Sequence, residues 1–154
     1  MKTPILLIVI AISIFSIKKS SAQNKSAKQS ATLNHIAVYV ADLDSSTSFY
    51  QTLLNLNKIE EPFKDGRHTW FSLGAAGQLH LIQGPKVKTE HDKNEHLCFS
   101  VRSIDDFITK LGQQKIEYTN WEGTAKAPTV RVDGVKQVYF QDPDGHWLEV
   151  NDAH

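Results

Sequence analysis

The sequence has a single cysteine, no surplus of charge of either sign and no long apolar run in its main part. Because Cys98 is the only cysteine, no disulfide can hold the chain together. Lysine and arginine number 17, and so do aspartate and glutamate, so no basic surplus exists to neutralise nucleic-acid phosphates. At 154 residues, 40% hydrophobic and 22% charged, the composition is globular and excludes a fibrous or wholly disordered chain.

The N-terminal end has the pattern of a secretory signal peptide. An apolar run over residues 4–17, interrupted only by two serines, is short for a membrane span, which needs about 20 residues. Ser20 and Ala22 are small residues suited to a cleavage site. We expect residues 1–22 to be a signal peptide to the periplasm or the exterior, and residues 23–31 to be a flexible linker. An uncleaved membrane anchor is the alternative; after cleavage we expect no stable membrane association.

The remaining residues, 32–152, contain an internal repeat. His35–Asp44 aligns with His96–Asp105: each segment begins with histidine, alternates for six residues and leads into a helix start. Each half continues with three short strand-like runs, which gives a β-α-β-β-β order. Since a half of about 55 residues could bury little core alone, we predict two modules, about 32–84 and 95–152, packed as one α+β domain.

Local signals place the helices, turns and strands within each module. Asp42 or Asp44 is expected to cap the first helix, and Ser103 with Asp106 three residues later caps the second. Residues 142–145 (DPDG) form a turn, because proline fixes φ at its second position and glycine tolerates a positive φ at its fourth. The later strands are predicted near 58–60, 69–73, 78–83, 116–120, 135–141 and 147–151.

One candidate metal ligand lies on the first and last strand of each module. Alternate strand residues point to opposite faces, and on these strands the apolar ones suit the helix side. The other face carries His35 and His80 in the first module, and His96 and Glu149 in the second. If these strands line one hollow, three imidazoles and a carboxylate converge, a donor set that suits Zn, Fe, Ni, Co or Mn. A buried carboxylate also needs a partner, which a metal ion would supply.

Four segments of the chain follow one another in a recognisable order: LNHIAVYVADLDSSTSFYQTLLNL (33–56), QLHLI (78–82), EHLCFSV (95–101) and FQDPDGHWLEV (140–150). Together they resemble the vicinal oxygen chelate superfamily, which includes glyoxalase I, fosfomycin-resistance proteins, extradiol dioxygenases and bleomycin-binding proteins. The resemblance is greatest to glyoxalase I. It implies two βαβββ modules whose mixed sheet curls around one divalent metal ion, with His35, His96 and Glu149 at family metal positions. At the position of His80, glyoxalase I usually has glutamate.

The resemblance implies a metal-dependent lyase or isomerase acting on a small oxygenated molecule. Such an enzyme chelates two neighbouring substrate oxygens and stabilises an enediolate-type intermediate. Glu149, the only carboxylate in the set, is then both ligand and base. Family members of this length often dimerise, so we expect a homodimer. Side chains that could line the substrate pocket are Tyr39, Trp70, Cys98, Arg131 and Trp147; core packing is the alternative for Cys98 and the aromatic residues.

Three other functions stay open for the same residues. An extradiol-type dioxygenase would use His35, His96 and Glu149 as a two-histidine, one-carboxylate triad for Fe(II), although His80 would occupy a position that substrate and O₂ need. A fosfomycin-type transferase would use the same three residues and a thiol donor. A non-catalytic module of the bleomycin-resistance type would sequester a drug without a metal, and four intact ligand residues argue against it.

Overall fold

Two βαβββ modules, the second with one additional two-residue strand, make up the part of the chain that the computed structural model describes, residues 31–84, 87 and 89–153. The signal-peptide prediction, and all but the last residue of the linker prediction, lie outside these residues. The first module contains β1 (His35–Val40), α1 (Leu43–Leu53), β2 (Asn57–Ile59), β3 (His68–Ser72) and β4 (Gln78–Gln83). The second contains β5 (His96–Ser100), α2 (Ile104–Gln113), β6 (Tyr118–Thr119), β7 (Thr129–Val130), β8 (Lys136–Gln141) and β9 (Trp147–Asn151). Within the described ranges, no helix is long and apolar enough to span a bilayer.

Each module forms its own mixed sheet. The strand order is β1-β4-β3-β2 in the first module and β5-β9-β8-β6 in the second, where β7 also pairs with β8. In both modules the first and last strands are parallel neighbours, and the chain between them passes through the helix and then the middle strands. The α+β class and the repeated module are therefore confirmed, with one mixed sheet in each module. The two-residue strand β7 was not predicted, since so short a segment carries no periodicity.

The helix starts follow the predicted capping signals. Of the two candidates for α1, Asp42 is the cap, because its side chain accepts a hydrogen bond from Ser45 N at 2.9 Å. At α2, Ser103 Oγ accepts from Asp106 N at 3.1 Å, which confirms the predicted cap.

The helix-facing sides of both sheets contribute to one hydrophobic core. Its fully buried members include Tyr50, Leu53, Phe71, Leu79, Leu81, Leu111, Phe140 and Leu148. The opposite faces stay open along β1 and β5, where His35 and Cys98 are exposed and Tyr39 is 52% exposed. Packing the modules through their helix sides therefore leaves the faces with the candidate ligands directed away from the core.

The turn between β8 and β9 joins the second module to the first. The buried Asp144 carboxylate accepts hydrogen bonds from Ser46 Oγ and from Ala41 N, both at 2.8 Å. The Tyr50 hydroxyl donates to Asp142 Oδ2 at 3.0 Å, and burial raises the pKa of Asp142. The turn that proline and glycine predict is thus also the polar joint between modules.

Replacing Asp144 with alanine is expected to destabilise the fold by about 2–3 kcal/mol, because the Ser46 hydroxyl and the Ala41 amide lose a charged acceptor. Urea unfolding of residues 23–154 would measure this loss. The control is Glu60→Ala, whose exposed side chain pairs only with Lys64 at 3.0 Å and should contribute less than about 0.5 kcal/mol. Equal stability of the two variants would contradict the role given to this joint.

Candidate metal centre

The first pair of predicted ligands, His35 and His80, stacks on the open face of the first sheet. Their ring centroids are 4.3 Å apart with an interplanar angle of 9°. Trp70 stacks on His80 as well, at 3.6 Å. Because β4 lies between β1 and β3, the His80 ring is held between the other two rings, and His80 is 6% exposed.

The second pair, His96 and Glu149, lies on the open face of the second sheet. His96 Nε2 is 3.3 Å from Glu149 Oε2, and the Glu149 side chain is 8% exposed. The parallel register of β5 and β9 places Cys98 directly opposite Glu149. An imidazole, a carboxylate and a thiol therefore share this face.

Three hydrogen-bond donors surround the Glu149 carboxylate. Tyr139 Oη donates to Oε2 at 2.5 Å, Asn151 Nδ2 donates to Oε1 at 2.9 Å, and Cys98 Sγ donates to Oε1 at 3.2 Å. Burial alone would raise the pKa of Glu149, but these donors and His96 outweigh it and lower the pKa below its usual value. Burial and the same carboxylate raise the pKa of Cys98 to about 12 and also raise that of Tyr139. Glu149 is thus ionised at neutral pH while both partners keep their protons.

His35 and His96 are held in the tautomer that suits a metal ligand. His35 Nδ1 donates to Asn34 Oδ1, and His96 Nδ1 donates to the Lys93 carbonyl, both at 2.8 Å. With Nδ1 bound to an oxygen, Nε2 is the nitrogen that each ring can offer to a metal ion, which is the usual arrangement of metal-bound histidines. In His96 this nitrogen faces the Glu149 carboxylate. Imidazole nitrogens and an ionised carboxylate are donors that a divalent transition metal accepts.

His80 has the opposite arrangement. Its Nε2 donates to Gln78 Oε1 at 3.0 Å, so Nδ1 is the nitrogen with a free electron pair. Burial, followed by the neighbouring His35 and His68, lowers the pKa of His80 and favours the neutral ring. His80 therefore fits a metal through Nδ1, or through Nε2 after Gln78 releases it.

The four predicted ligands form two pairs on two sheets. Among the described residues, no hydrogen bond, ion pair or ring contact connects the first pair to the second. Nor does this part of the chain contain a group of three or more His, Cys, Asp or Glu side chains arranged to hold a metal ion. The convergence of all four residues on one metal ion remains a prediction.

The predicted substrate-pocket residues are divided between the two faces and a hairpin. Trp70 stacks on His80. The Tyr39 ring, on β1, rests on Gly84, because a Cβ atom added to Gly84 would lie 1.6 Å from that ring. Cys98 and Trp147 lie on the second sheet with Glu149. Arg131 lies in the β7–β8 hairpin, where its guanidinium bonds Asp133 Oδ2 at 2.7 Å. Their roles toward a substrate remain predictions.

Sequence reasoning missed the contacts of Tyr139 and Lys93. Tyr139 lies opposite Glu149 in the β8–β9 register, which the alternation of either strand alone does not reveal. The Lys93 ammonium group donates to the carbonyl oxygens of Asn120 and Trp121, which lie in a loop remote in sequence. Asn151, by contrast, is two residues from Glu149 on one strand, so alternation already places both on one face.

The variant Tyr139→Phe is expected to raise the pKa of Glu149, because the carboxylate loses one of its three donors. Since its folded-state pKa lies below the unfolded value, Glu149 stabilises the fold at neutral pH and loses this contribution as pH falls through the folded pKa. The variant should therefore lose less stability on acidification. Carboxyl ¹³C NMR titration measures the shift, with Tyr118→Phe as control because Tyr118 donates elsewhere, to Lys126 O. An unchanged pKa would refute the effect assigned to Tyr139.

Residues 32–150 match the profile of a known family, the Glyoxalase/Bleomycin resistance protein/Dioxygenase superfamily. The chain is 27% identical over 125 residues to "Glyoxylase I 4" of Arabidopsis thaliana, covering 77% of this chain and 69% of the relative. It is 29% identical over 123 residues to "Metallothiol transferase FosB" of Shouchella clausii, covering 77% of this chain and 78% of the relative.

Solved structures show the same fold. The fosfomycin resistance protein FosX from Listeria monocytogenes aligns with a TM-score of 0.63 at 25% identity, over 80% of this chain and 94% of that one. Lactoylglutathione lyase from Agrobacterium tumefaciens aligns with a TM-score of 0.61 at 21% identity, over 82% of this chain and 96% of that one. With its repeated βαβββ modules and a profile match over most of its length, the chain belongs to the Glyoxalase/Bleomycin resistance protein/Dioxygenase superfamily.

Proposed function

We propose that the protein is a divalent-metal-dependent lyase or isomerase of the glyoxalase I type, with Glu149 as ligand and proton acceptor. One observation carries the proposal: Glu149 is an ionised, donor-bound carboxylate 3.3 Å from the Nε2 atom of His96. Similarity to "Glyoxylase I 4" supports this activity. The substrate would be a small molecule with two neighbouring oxygens. Residues 1–22 would direct the chain to the periplasm or the exterior.

The candidate ligands would hold one Zn, Ni, Co, Mn or Fe ion. His35 and His96 would bind through Nε2, Glu149 through its carboxylate, and His80 would be the fourth ligand. A bound metal ion acts as a Lewis acid that polarises substrate oxygens and stabilises negative charge on them. Neutral imidazoles and an ionised carboxylate are the protonation states that such binding requires.

Glu149 performs the proton transfer in this proposal. A carboxylate oxygen takes a proton from the substrate carbon and returns it to the neighbouring carbon. Its lowered pKa keeps the carboxylate ionised, so it is ready to accept a proton at neutral pH. Tyr139 keeps its own proton and donates a hydrogen bond that holds the carboxylate in place.

We also propose that two copies of the chain complete the metal site. Each copy carries one pair of ligands on each sheet, and both faces are open along β1 and β5. If one protomer supplies the His35–His80 pair and its partner supplies the His96–Glu149 pair, all four ligands meet without unpacking the shared core. This arrangement agrees with the expected homodimer.

A fosfomycin-type activity is the second candidate. The identities of 29% to FosB and 25% to FosX favour it. It would use His35, His96 and Glu149 as ligands, and an ionised carboxylate also suits a role as ligand alone. Under this candidate the substrate is fosfomycin or a related molecule, and "metallothiol transferase" as the name of the relative points to a thiol as co-substrate.

The expected activity of metal-loaded residues 23–154 is that of a lactoylglutathione lyase, and Glu149→Gln should lower kcat by a factor on the order of 10²–10⁴ because the proton acceptor is lost. Glu117→Gln, a change at an exposed carboxylate paired with Lys126, is the control. Full activity of Glu149→Gln would show that Glu149 is not the base. Thiol transfer to fosfomycin without lyase activity would favour the second candidate.

A mixing experiment is expected to reveal a shared metal site. His35→Ala/His80→Ala and His96→Ala/Glu149→Ala should each bind no metal, because each lacks one pair of ligands. After unfolding and refolding together, a mixed dimer would combine the intact first pair of one protomer with the intact second pair of the other. Elemental mass spectrometry of separately tagged, co-purified dimers should then find one metal ion per mixed dimer. Absence of metal, with wild-type dimers loaded, would place all four ligands within one chain.

A further inference from the structure

Lys93 carries an ammonium group that contacts neutral groups at the edge of the second sheet. Its Nζ donates to the carbonyl oxygens of Asn120 and Trp121, at 2.8 and 2.9 Å. The same atom is 4.7 Å from the ring centroid of Tyr139 and 4.9 Å from that of Trp147. Among the described residues, no carboxylate forms an ion pair with it. Carbonyl dipoles and aromatic faces therefore hold this cation, which is unlike an exposed surface lysine.

The loop that Lys93 binds is closed on itself. Asn120 Oδ1 accepts from Thr124 N at 2.8 Å and from Ala125 N at 3.2 Å, and its Nδ2 donates to Thr124 Oγ1 at 3.1 Å. Trp121 then packs edge-on against Tyr139, with ring centroids 5.3 Å apart. The two contacts from Lys93 thus hold residues 120–125 against Tyr139, the residue that donates to Glu149.

The backbone of Lys93 contacts a predicted metal ligand. Its carbonyl accepts the hydrogen bond from His96 Nδ1, and His96 Nε2 then faces the Glu149 carboxylate. A histidine tautomer is set by the hydrogen bond that its other nitrogen makes. The ammonium group of Lys93 is bound at the far end of the side chain, which restricts the backbone that carries this carbonyl. One residue therefore contacts both His96 on β5 and the loop at residues 120–125.

We propose that Lys93 is a positioning residue for the metal-binding face, holding His96 with Nε2 toward the metal and the 120–125 loop against Tyr139. The proposal rests on the proposed metal site, since the orientation of His96 affects function only if His96 binds the metal ion. Lys93 touches neither metal nor substrate in this role. Its effect passes through His96 on one side and through Tyr139 and Glu149 on the other.

Three variants test this role. Lys93→Met keeps the length of the side chain but removes its donors and charge, whereas Lys93→Arg keeps both. Lys58→Met is the control, because Lys58 is an exposed lysine on β2. Two readouts are compared in the full chain: the His96 tautomer in metal-free protein, from ¹⁵N shifts of the ring nitrogens, and Zn²⁺ affinity from calorimetry.

The wild type, Lys93→Arg and Lys58→Met are expected to show His96 protonated at Nδ1, whereas Lys93→Met shifts the ring toward protonation at Nε2. Lys93→Met should also bind Zn²⁺ about 10-fold or more weakly, as is usual when a group that orients a metal ligand is lost, and Lys93→Arg should restore most of the affinity. If Lys93→Met does not fold, Lys93→Gln, which keeps a donor for one carbonyl, replaces it and should show a smaller shift in the same direction.

An unchanged tautomer and unchanged Zn²⁺ affinity in Lys93→Met would overturn the proposal while leaving the metal site in place. A Lys93→Arg variant that behaves like Lys93→Met would also overturn it, since the retained charge and donors would then have no effect. If the wild type binds no Zn²⁺, the proposed function fails, and the tautomer measurement still decides whether Lys93 positions His96.

Discussion

A buried carboxylate is stable in its ionised form only where donors replace the water it has lost. Glu149 has three such donors, two on the neighbouring strands β5 and β8 and one on its own strand β9. The parallel pairing of β5 with β9 supplies Cys98, and the antiparallel pairing of β8 with β9 supplies Tyr139. The register of the second sheet thus places the donors that keep Glu149 ionised. The low pKa of Glu149, the retained protons of its partners and its proximity to His96 all depend on that register.

The packing of the modules determines which way the sheet faces with the candidate ligands are directed. One core contains the helix sides of both sheets, and the turn carboxylates Asp142 and Asp144 bond to hydroxyls of α1. The polar faces are consequently directed outward, each with two candidate ligands. A metal ion that needs three or four ligands would find them only where two such faces meet. In the proposed dimer, the open strands β1 and β5 would bring two such faces together.

The candidate ligands differ in their surroundings, although the repeat makes their positions equivalent. His35 and His96 both have Nδ1 bound to an oxygen, yet one partner is the side chain of Asn34 and the other is a main-chain carbonyl. His80 is clamped between two rings, and its Nε2 is already bonded. The carbonyl that orients His96 belongs to Lys93, and the side chain of Lys93 holds the 120–125 loop. In the second module, one residue therefore contacts both a candidate ligand and the loop beside the ligand face.

The sequence by itself determined the features that depend on local chemistry. Strand alternation placed His35, His80, His96 and Glu149 on the faces away from the helices, Ser103 and Asp106 marked the start of α2, and the DPDG segment specified its turn. The tertiary structure alone decided that Asp42 rather than Asp44 caps α1, that Tyr139 lies opposite Glu149, that Lys93 reaches the 120–125 loop, and that the ligands form two separate pairs. The physical reason is range: periodicity and capping act within a few residues, whereas register, side-chain contacts and module packing depend on segments far apart in the chain.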